Sequence, residues 1–336
     1  MTKKRTYATI LILLLLTTGP IQAEPSFSLK ASPILMFNSG STDYTIEALT
    51  YVVSEDLLDT MLVGIRSKLE FPLDAALVGV DLEAASKHVT EKGWTINIGA
   101  LINITDPDKM MEDHDWFFDP DGSESIKWSW TESRAKLSYL LLKLEIAKTI
   151  AKGKKLDLSL MAGFHYNHVE LDMIGYSGWQ VSVDNVIKGQ GPALYYRATY
   201  KLPQVGVRLK ITPSWQTSME LQLAGGRLMA SDLDDHLLRG KTAKAETAGW
   251  AFLGQAAVRL MLAPSGSARP FLSGRVEFVT QSASGTQTQE WYRDEIVADQ
   301  NGGEDIVVRK GTVISGISYE TTARQVRIGV GFGLVF

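Results

Sequence analysis

The chain has no cysteine among its 336 residues, which excludes a disulfide scaffold and an anchor attached through a lipid-modified cysteine. The formal net charge of −4 is too small to indicate a nucleic-acid partner. Beyond its first residues the chain also lacks any apolar run of the roughly 20 residues that a membrane-spanning helix needs. If the chain crosses a membrane, a closed β-barrel is therefore the remaining structure, because backbone polar groups in lipid must be paired within the protein.

The N-terminal segment has the pattern of a secretory signal peptide. Residues 3–5 are all basic, and Ala8–Leu16 is an unbroken run of apolar or small residues. The run is too short to span a membrane, and a small residue, Ala23, stands at the expected cleavage position. We therefore expect residues 1–23 to be removed and residues 24–336 to form the mature outer-membrane barrel.

The C-terminal segment alternates between two kinds of residue with a period of two. One face is wholly apolar: Val326, Ile328, Val330, Phe332, Leu334 and Phe336. The residues between them are mostly small or polar. A strand with lipid outside and a polar lumen inside requires this pattern. The alternative is an edge strand of a soluble sandwich, which the signal peptide disfavours.

Similar alternation recurs along the chain, and the connections alternate in length. Long polar connections are predicted at residues 106–134, 166–194 and 231–247, and short ones at 151–154, 212–217 and 263–269. The segment Leu137–Ile150 is dense in apolar residues but lacks helix caps, so we interpret it as a strand. Pro203 predicts a bulge within its strand. Together these features predict an all-β transmembrane antiparallel barrel of about ten strands with extended extracellular loops.

Two acidic clusters fall in the predicted polar loops. Asp113 and Asp115 are two residues apart, and so are Asp234 and His236. On an extended strand, residues at this spacing point to the same face. A carboxylate beside an imidazole orients it and suits it to act as a general base. The alternatives are a solvated acidic loop, divalent cations at the lipopolysaccharide layer, or a protein metal site. Calcium would require more converging oxygen ligands than the sequence shows.

The ordered pair of motifs resembles the omptins, a family of ten-stranded outer-membrane proteases. The first motif reads Asp113-His114-Asp115-Trp116, and the second reads Asp232-Leu233-Asp234-Asp235-His236. The flanking segments 130–134, 160–164 and 201–206 are also similar to the family. The resemblance spans roughly residues 49–236 and is weak beyond that range.

The resemblance implies an endopeptidase that uses no metal and cuts peptides or proteins near basic residues, with its active site facing the exterior. It implies catalytic roles for Asp113, Asp115, Asp234 and His236, with a water molecule held between Asp113 and His236. Asp232 matches the family's acidic residue in the pocket for a basic side chain. Lipopolysaccharide is implied as a partner that supports activity, although the sequence does not identify its binding residues.

Some positions depart from the family pattern. Ala135 stands where the family often has histidine, and Tyr51 stands where it has glycine. The family carries a glutamate six residues after a Leu-Ser pair, and Leu49-Thr50 followed by Glu55 resembles this, so the resemblance implies Glu55 as a second acid in the substrate pocket, with Glu47 as its competitor. Two other functions remain open: a non-catalytic barrel of omptin-like ancestry, acting as an adhesin or structural protein, and a small porin or lipid-modifying barrel.

Overall fold

The computed structural model describes residues 27–53, 60–86, 93–119, 125–180, 183–297 and 306–336. The predicted signal peptide lies outside these residues. Among them, no helix is long and apolar enough to cross a membrane. The described regular structure is all β. The strands are β1 Phe27–Val53, β2 Thr60–Pro72, β3 Ala75–Ser86, β4 Trp94–Asn103, β5 Met110–Phe118, β6 Ser125–Lys152, β7 Leu156–Gln180, β8 Val183–Ile211, β9 Thr217–His236, β10 Lys241–Met261, β11 Arg269–Trp291, β12 Glu295–Val297, β13 Ile306–Val308 and β14 Val313–Val335.

The strands form a closed antiparallel ring. Its order is β1-β3-β4-β6-β7-β8-β9-β10-β11-β14, and β14 pairs back onto β1. At one end of the ring, β2 and β5 lie between β1 and β6 in place of β3 and β4. β2 and β3 therefore fill one position of the ring, and β4 and β5 fill the next. The ring therefore has ten positions, which confirms the predicted barrel of about ten strands. We call the end formed by β2 and β5 the extended end, and the opposite end, with turns such as 153–155 and 212–216, the short-turn end.

An apolar belt surrounds the half of the ring nearer the short-turn end. It consists of exposed large side chains, among them Trp94, Ile98, Leu142, Leu160, Val205, Leu223, Trp250, Phe252, Phe278, Ile328, Val330 and Phe332. On β14 the alternation predicted from the sequence is present, since Val326, Ile328 and Val330 are exposed whereas Gln325 and Arg327 are buried. Contact with lipid on one face and with the lumen on the other explains this alternation.

Paired charges fill the lumen inside the belt. The carboxylate of Glu277 accepts from Lys143 at 2.8 Å and from Arg275 and Arg327 at 3.2 Å. Nearby, Glu145 accepts from Arg208 at 2.9 Å. Buried charges of this kind persist because each has opposite charges and hydrogen bonds around it. Beyond them toward the short-turn end lies a cavity of about 110 Å³.

Two local predictions differ from the structure. The segments predicted as long polar loops are mostly strand, because β5 continues to Phe118, β7 to Gln180 and β9 to His236. Beyond the belt both faces of a strand can be polar, so the alternation that marks a strand in the sequence is weak there. At Pro203 there is no bulge: its pairing with Phe164 lies in unbroken register, and the pairing of β8 with β9 resumes unshifted at Gln204.

Candidate functional site

The two acidic motifs lie on β5 and β9, beyond the apolar belt. On β10, the belt ends near Trp250. Asp232, Asp234 and His236 pair with the part of β10 from Ala245 to Lys241, which lies between Trp250 and the extended end. The spacing of two along each strand turns these side chains to the interior, as expected. The space that they border is called the cleft below.

On β9, Asp234 holds the imidazole of His236. His236 Nε2 lies 2.9 Å from Asp234 Oδ2, and the same oxygen accepts a hydrogen bond from the hydroxyl of Tyr44 on β1. Asp234 is fully buried, whereas 16% of the His236 side chain is exposed. With the Nε2 proton donated to Asp234, Nδ1 keeps a lone pair that can accept a proton. The Asp234–His236 pair therefore has the arrangement of an oriented general base.

On β5, Asp113 and Asp115 face the same interior. Asp115 Oδ2 accepts from Ser129 Oγ on β6 at 2.6 Å. Asp113 is half-buried, and its buried Oδ1 has no hydrogen-bond partner in the described part of the chain. Burial, followed by the nearby charges of Asp115 and Asp234, raises the pKa of Asp113 well above its ordinary range. This coupling brings the two motifs, about 120 residues apart in the sequence, into one electrostatic cluster.

Asp232 lies two residues nearer the apolar belt along β9 than Asp234. Tyr319 on β14 donates its hydroxyl to Asp232 Oδ2, while Oδ1 has no partner among the described residues. Burial raises the pKa of Asp232 to about 7, with a further contribution from Asp234, against the lowering effect of the Tyr319 hydrogen bond. Stacked and tilted rings, including Tyr44, Phe71, Tyr196 and Tyr319, surround this level of the barrel.

Several residues of the cleft carry no sequence motif. Lys241 on β10 pairs directly with His236 across the two strands and is buried. Its Nζ donates to Gln289 Oε1 at 3.0 Å and lies 5.4 Å from the centre of the Trp291 ring. The tyrosines that donate to the carboxylates were likewise not identified from the sequence. Their only signal is their place on the buried face of a strand, which many core residues share.

The β9–β10 turn, residues 237–240, is held by the segment that follows β11 and by β12. The Arg293 guanidinium donates to the carbonyl of Leu237 at 2.6 Å and to that of Leu238. Tyr292 donates its hydroxyl to Asp235 at 3.0 Å, and Arg239 pairs with Glu295 at 2.5 Å. This turn follows His236 directly, so these contacts fix the end of the strand that carries the imidazole.

Glu55 and Glu47 were the two candidates for a second acid in the substrate pocket. Glu55 lies outside the described residues. Its competitor Glu47 lies on the outer face of β1, exposed and paired with Arg66 at 2.6 Å, so it does not reach the cleft. Ala135 is buried on β6. In the described part of the chain, no group of three or more histidine, aspartate or glutamate side chains could hold a metal ion.

Comparison with known proteins bears on this arrangement. The sequence model of the Omptin family matches residues 66–321, more than half of the chain. The match starts after Glu55 and continues well past His236, so the similarity extends further toward the C-terminus than the motifs alone indicated. Among curated protein sequences, none matches this chain.

Solved structures show a similar fold. The outer membrane protease OmpT from Escherichia coli superimposes with a TM-score of 0.65 at 15% sequence identity, covering 95% of this chain and 99% of that chain. The translocator domain of the autotransporter NalP from Neisseria meningitidis has a TM-score of 0.32 at 13% identity, with coverages of 98% and 94%. The toluene transporter TodX from P. putida has a TM-score of 0.26 at 9% identity, with coverages of 94% and 91%. Only the first of these scores indicates a shared fold.

Proposed function

The chain belongs to the omptin family of outer-membrane proteases, and we propose that it is an endopeptidase that cleaves peptides beside basic residues by activating a water molecule. One observation carries the proposal: two carboxylates on β5 and a carboxylate–imidazole pair on β9 share one electrostatic cluster beyond the apolar belt. A solvated acidic loop would not hold a fully buried Asp234 against an imidazole or keep an unpartnered oxygen of Asp113 away from solvent.

In the proposed mechanism, His236 takes a proton from a water molecule held between its ring and Asp113. Asp234 orients the imidazole and stabilises the positive charge that the ring acquires. Asp113 accepts a hydrogen bond from the water molecule and holds it in place, and Asp115, which Ser129 fixes, supports Asp113. The hydroxide formed at His236 attacks the peptide carbonyl, and the imidazolium returns its proton to the leaving amine.

The decisive experiment compares cleavage of dibasic peptides by refolded wild-type protein and by variants. His236→Ala and Asp113→Ala should each lower kcat by roughly 10³-fold or more, since a positioned base or acid typically supplies about 10²–10⁴-fold. The double variant should lose little more than either single variant, because residues that act together have non-additive effects.

Matched controls come from the same motifs. His114 stacks on Trp116 and contacts Glu112 on the outer face, and Asp235 contacts Tyr292. His114→Ala and Asp235→Asn should retain most of the activity. If His236→Ala cleaves as fast as the wild type, the assignment of the base is wrong. If the wild-type protein cuts no peptide when lipopolysaccharide is present, the non-catalytic barrel replaces the protease proposal.

The preference for basic residues is assigned to Asp232. An arginine or lysine side chain reaching its unpartnered Oδ1 would favour the ionised carboxylate and pair with it. Asp232→Asn should reduce kcat/KM for a peptide with arginine before the cleaved bond by roughly 30-fold or more, since losing one partner of a buried charge pair costs about 2–5 kcal/mol. A glutamine-containing peptide serves as the reference substrate, and an unchanged ratio between the two peptides would place the pocket elsewhere.

Lipopolysaccharide is the proposed membrane partner, with the cleft facing the cell exterior. The support is a group of exposed cations on the outer wall between the apolar belt and the cleft: Arg134, Lys136, Arg197, Lys201 and Arg227. Guanidinium and ammonium groups suit the phosphates of such a lipid. Activity of the refolded protein with and without added lipopolysaccharide tests this partner, and protease access to the β9–β10 turn on whole cells tests the orientation.

A further inference from the structure

We infer that Lys241 is a positioning residue for hydrolysis: its buried ammonium group stabilises the ionised carboxylate of Asp113 in the cleft. The inference deepens the proposed function and rests on it. The sequence offers no motif for this residue, and its place follows from the register of β9 and β10.

The first support is geometry. Lys241 and His236 are directly opposite each other on neighbouring antiparallel strands. Residues paired in this way have Cβ atoms about 4.5–5.5 Å apart and point to the same face of the sheet. Both side chains therefore enter the cleft from adjacent strands, and the four-residue turn between them leaves little freedom to change that register.

The second support is the way the ammonium group is held. It is buried, it donates to Gln289, and it lies over the face of Trp291. A lysine exposed to solvent would gain little from such contacts and would be screened by water. Here the amide and the ring fix the position of the charge at the wall of the cleft.

The third support is the set of charges around the imidazole and the ammonium. The charged groups are Asp234 on β9, Asp113 and Asp115 on β5, Arg239 in the turn and Glu295 on β12, and the neutral hydroxyl of Tyr44 on β1 joins them. Burial lowers the pKa of Lys241 to about 8, with Arg239 adding to the effect, while Asp234, Glu295 and Asp115 oppose it. The ammonium therefore persists at neutral pH because the carboxylates stabilise it, and by reciprocity it stabilises their ionised forms.

Removing this charge should move the acidic limb of the activity profile. Without it, the Asp113 carboxylate is protonated more readily, so activity shifts to higher pH. A unit charge a few ångströms away in a partly buried site shifts such an equilibrium by about one pH unit or more.

The experiment measures kcat/KM against pH, from 5 to 9, with one dibasic peptide. Lys241→Met should raise the midpoint of the acidic limb by about one unit and so lower kcat/KM by up to about 10-fold below that midpoint. Lys241→Arg keeps the charge and should keep that midpoint. Lys244→Met is the matched control, since Lys244 is on the same strand but exposed on the other face, and its profile should equal that of the wild type.

The outcomes separate this inference from the proposed function. An inactive wild-type protein contradicts the proposed function itself. An active wild-type protein whose acidic limb is unmoved by Lys241→Met contradicts only the role of Lys241. If the methionine variant does not fold, Gln289→Leu replaces it. That change lets the ammonium group turn toward solvent, so the acidic limb should move in the same direction as in the methionine variant, and an unmoved limb overturns the inference.

Discussion

Asp232 combines a proposed substrate contact with a cost to stability that depends on pH. Burial holds its pKa at about 7 in the folded protein, against an ordinary value of 3.8. A carboxyl group whose pKa is raised by folding contributes stability below its unfolded pKa and loses that contribution as the pH rises through its folded pKa. The window for this residue therefore lies between about pH 4 and pH 7. Acidification within this window should favour the folded cleft.

The corresponding variant is Asp232→Asn, which cannot ionise. We compare the free energy of unfolding of this variant with that of the wild type. The difference, variant minus wild type, should increase by at most roughly 1.4 kcal/mol per pH unit between about pH 4 and pH 7. Urea unfolding in detergent, followed by tryptophan fluorescence at several pH values, measures this difference. Asp235→Asn is the control, because it removes a half-buried carboxylate from the other face of the same strand. A constant difference for Asp232→Asn would contradict the raised pKa.

Residues of the cleft differ in how far the sequence could identify them. The spacing of two predicts that Asp234 and His236 share a face, because that relation depends only on strand geometry. Tyr44 donates to Asp234 from 190 residues away, and Lys241 reaches the cleft through a hairpin register. Both relations depend on which strands pair and in what register. The order and register of the strands cannot be obtained from a single sequence, so neither residue could be placed beside the motif.

At the scale of elements, the β9–β10 turn depends on its neighbour for its conformation. Arg293→Ala removes two hydrogen bonds to the turn carbonyls and should lower kcat several-fold, because the end of the strand carrying His236 becomes less well fixed. The barrel should remain equally stable, since the contacts lie outside the ring. Arg309→Ala, which removes an exposed pair with Asp294, is the control. Equal activity of the two variants would show that the turn needs no support from Arg293.

The strands themselves were predictable where the two faces meet different environments. β14 alternates because its outer face forms part of the belt and its inner face meets Gln325, Arg327 and their partners. Toward the extended end this contrast disappears, and the sequence of β5 or of the upper part of β9 is typical of a loop. Pro203 causes no bulge for a different reason. Its missing N–H interrupts two residue pairs between β8 and β9, but the register of these strands is the same on either side.

For the whole molecule, the filled lumen predicts that the barrel does not conduct ions. Glu277 and Glu145, with their arginine and lysine partners, occupy the interior within the belt. Planar bilayers with the purified, refolded protein should show no stable conductance steps, with a general porin as the positive control. Mobility on unheated gels confirms that the protein added is folded. Regular conductance steps would favour the small-porin alternative.

The closure of the ring has a kinetic consequence. β1 pairs with β14, and Leu29 and Phe336 exchange backbone hydrogen bonds although about 300 residues separate them. Formation of this seam is the most non-local event in the fold, and such contacts slow folding because a long loop must close first. The same seam leaves no free edge from which strands could peel away one at a time. We therefore expect slow assembly followed by slow, all-or-none unfolding, so that persistence in a harsh exterior is a matter of rate rather than of equilibrium.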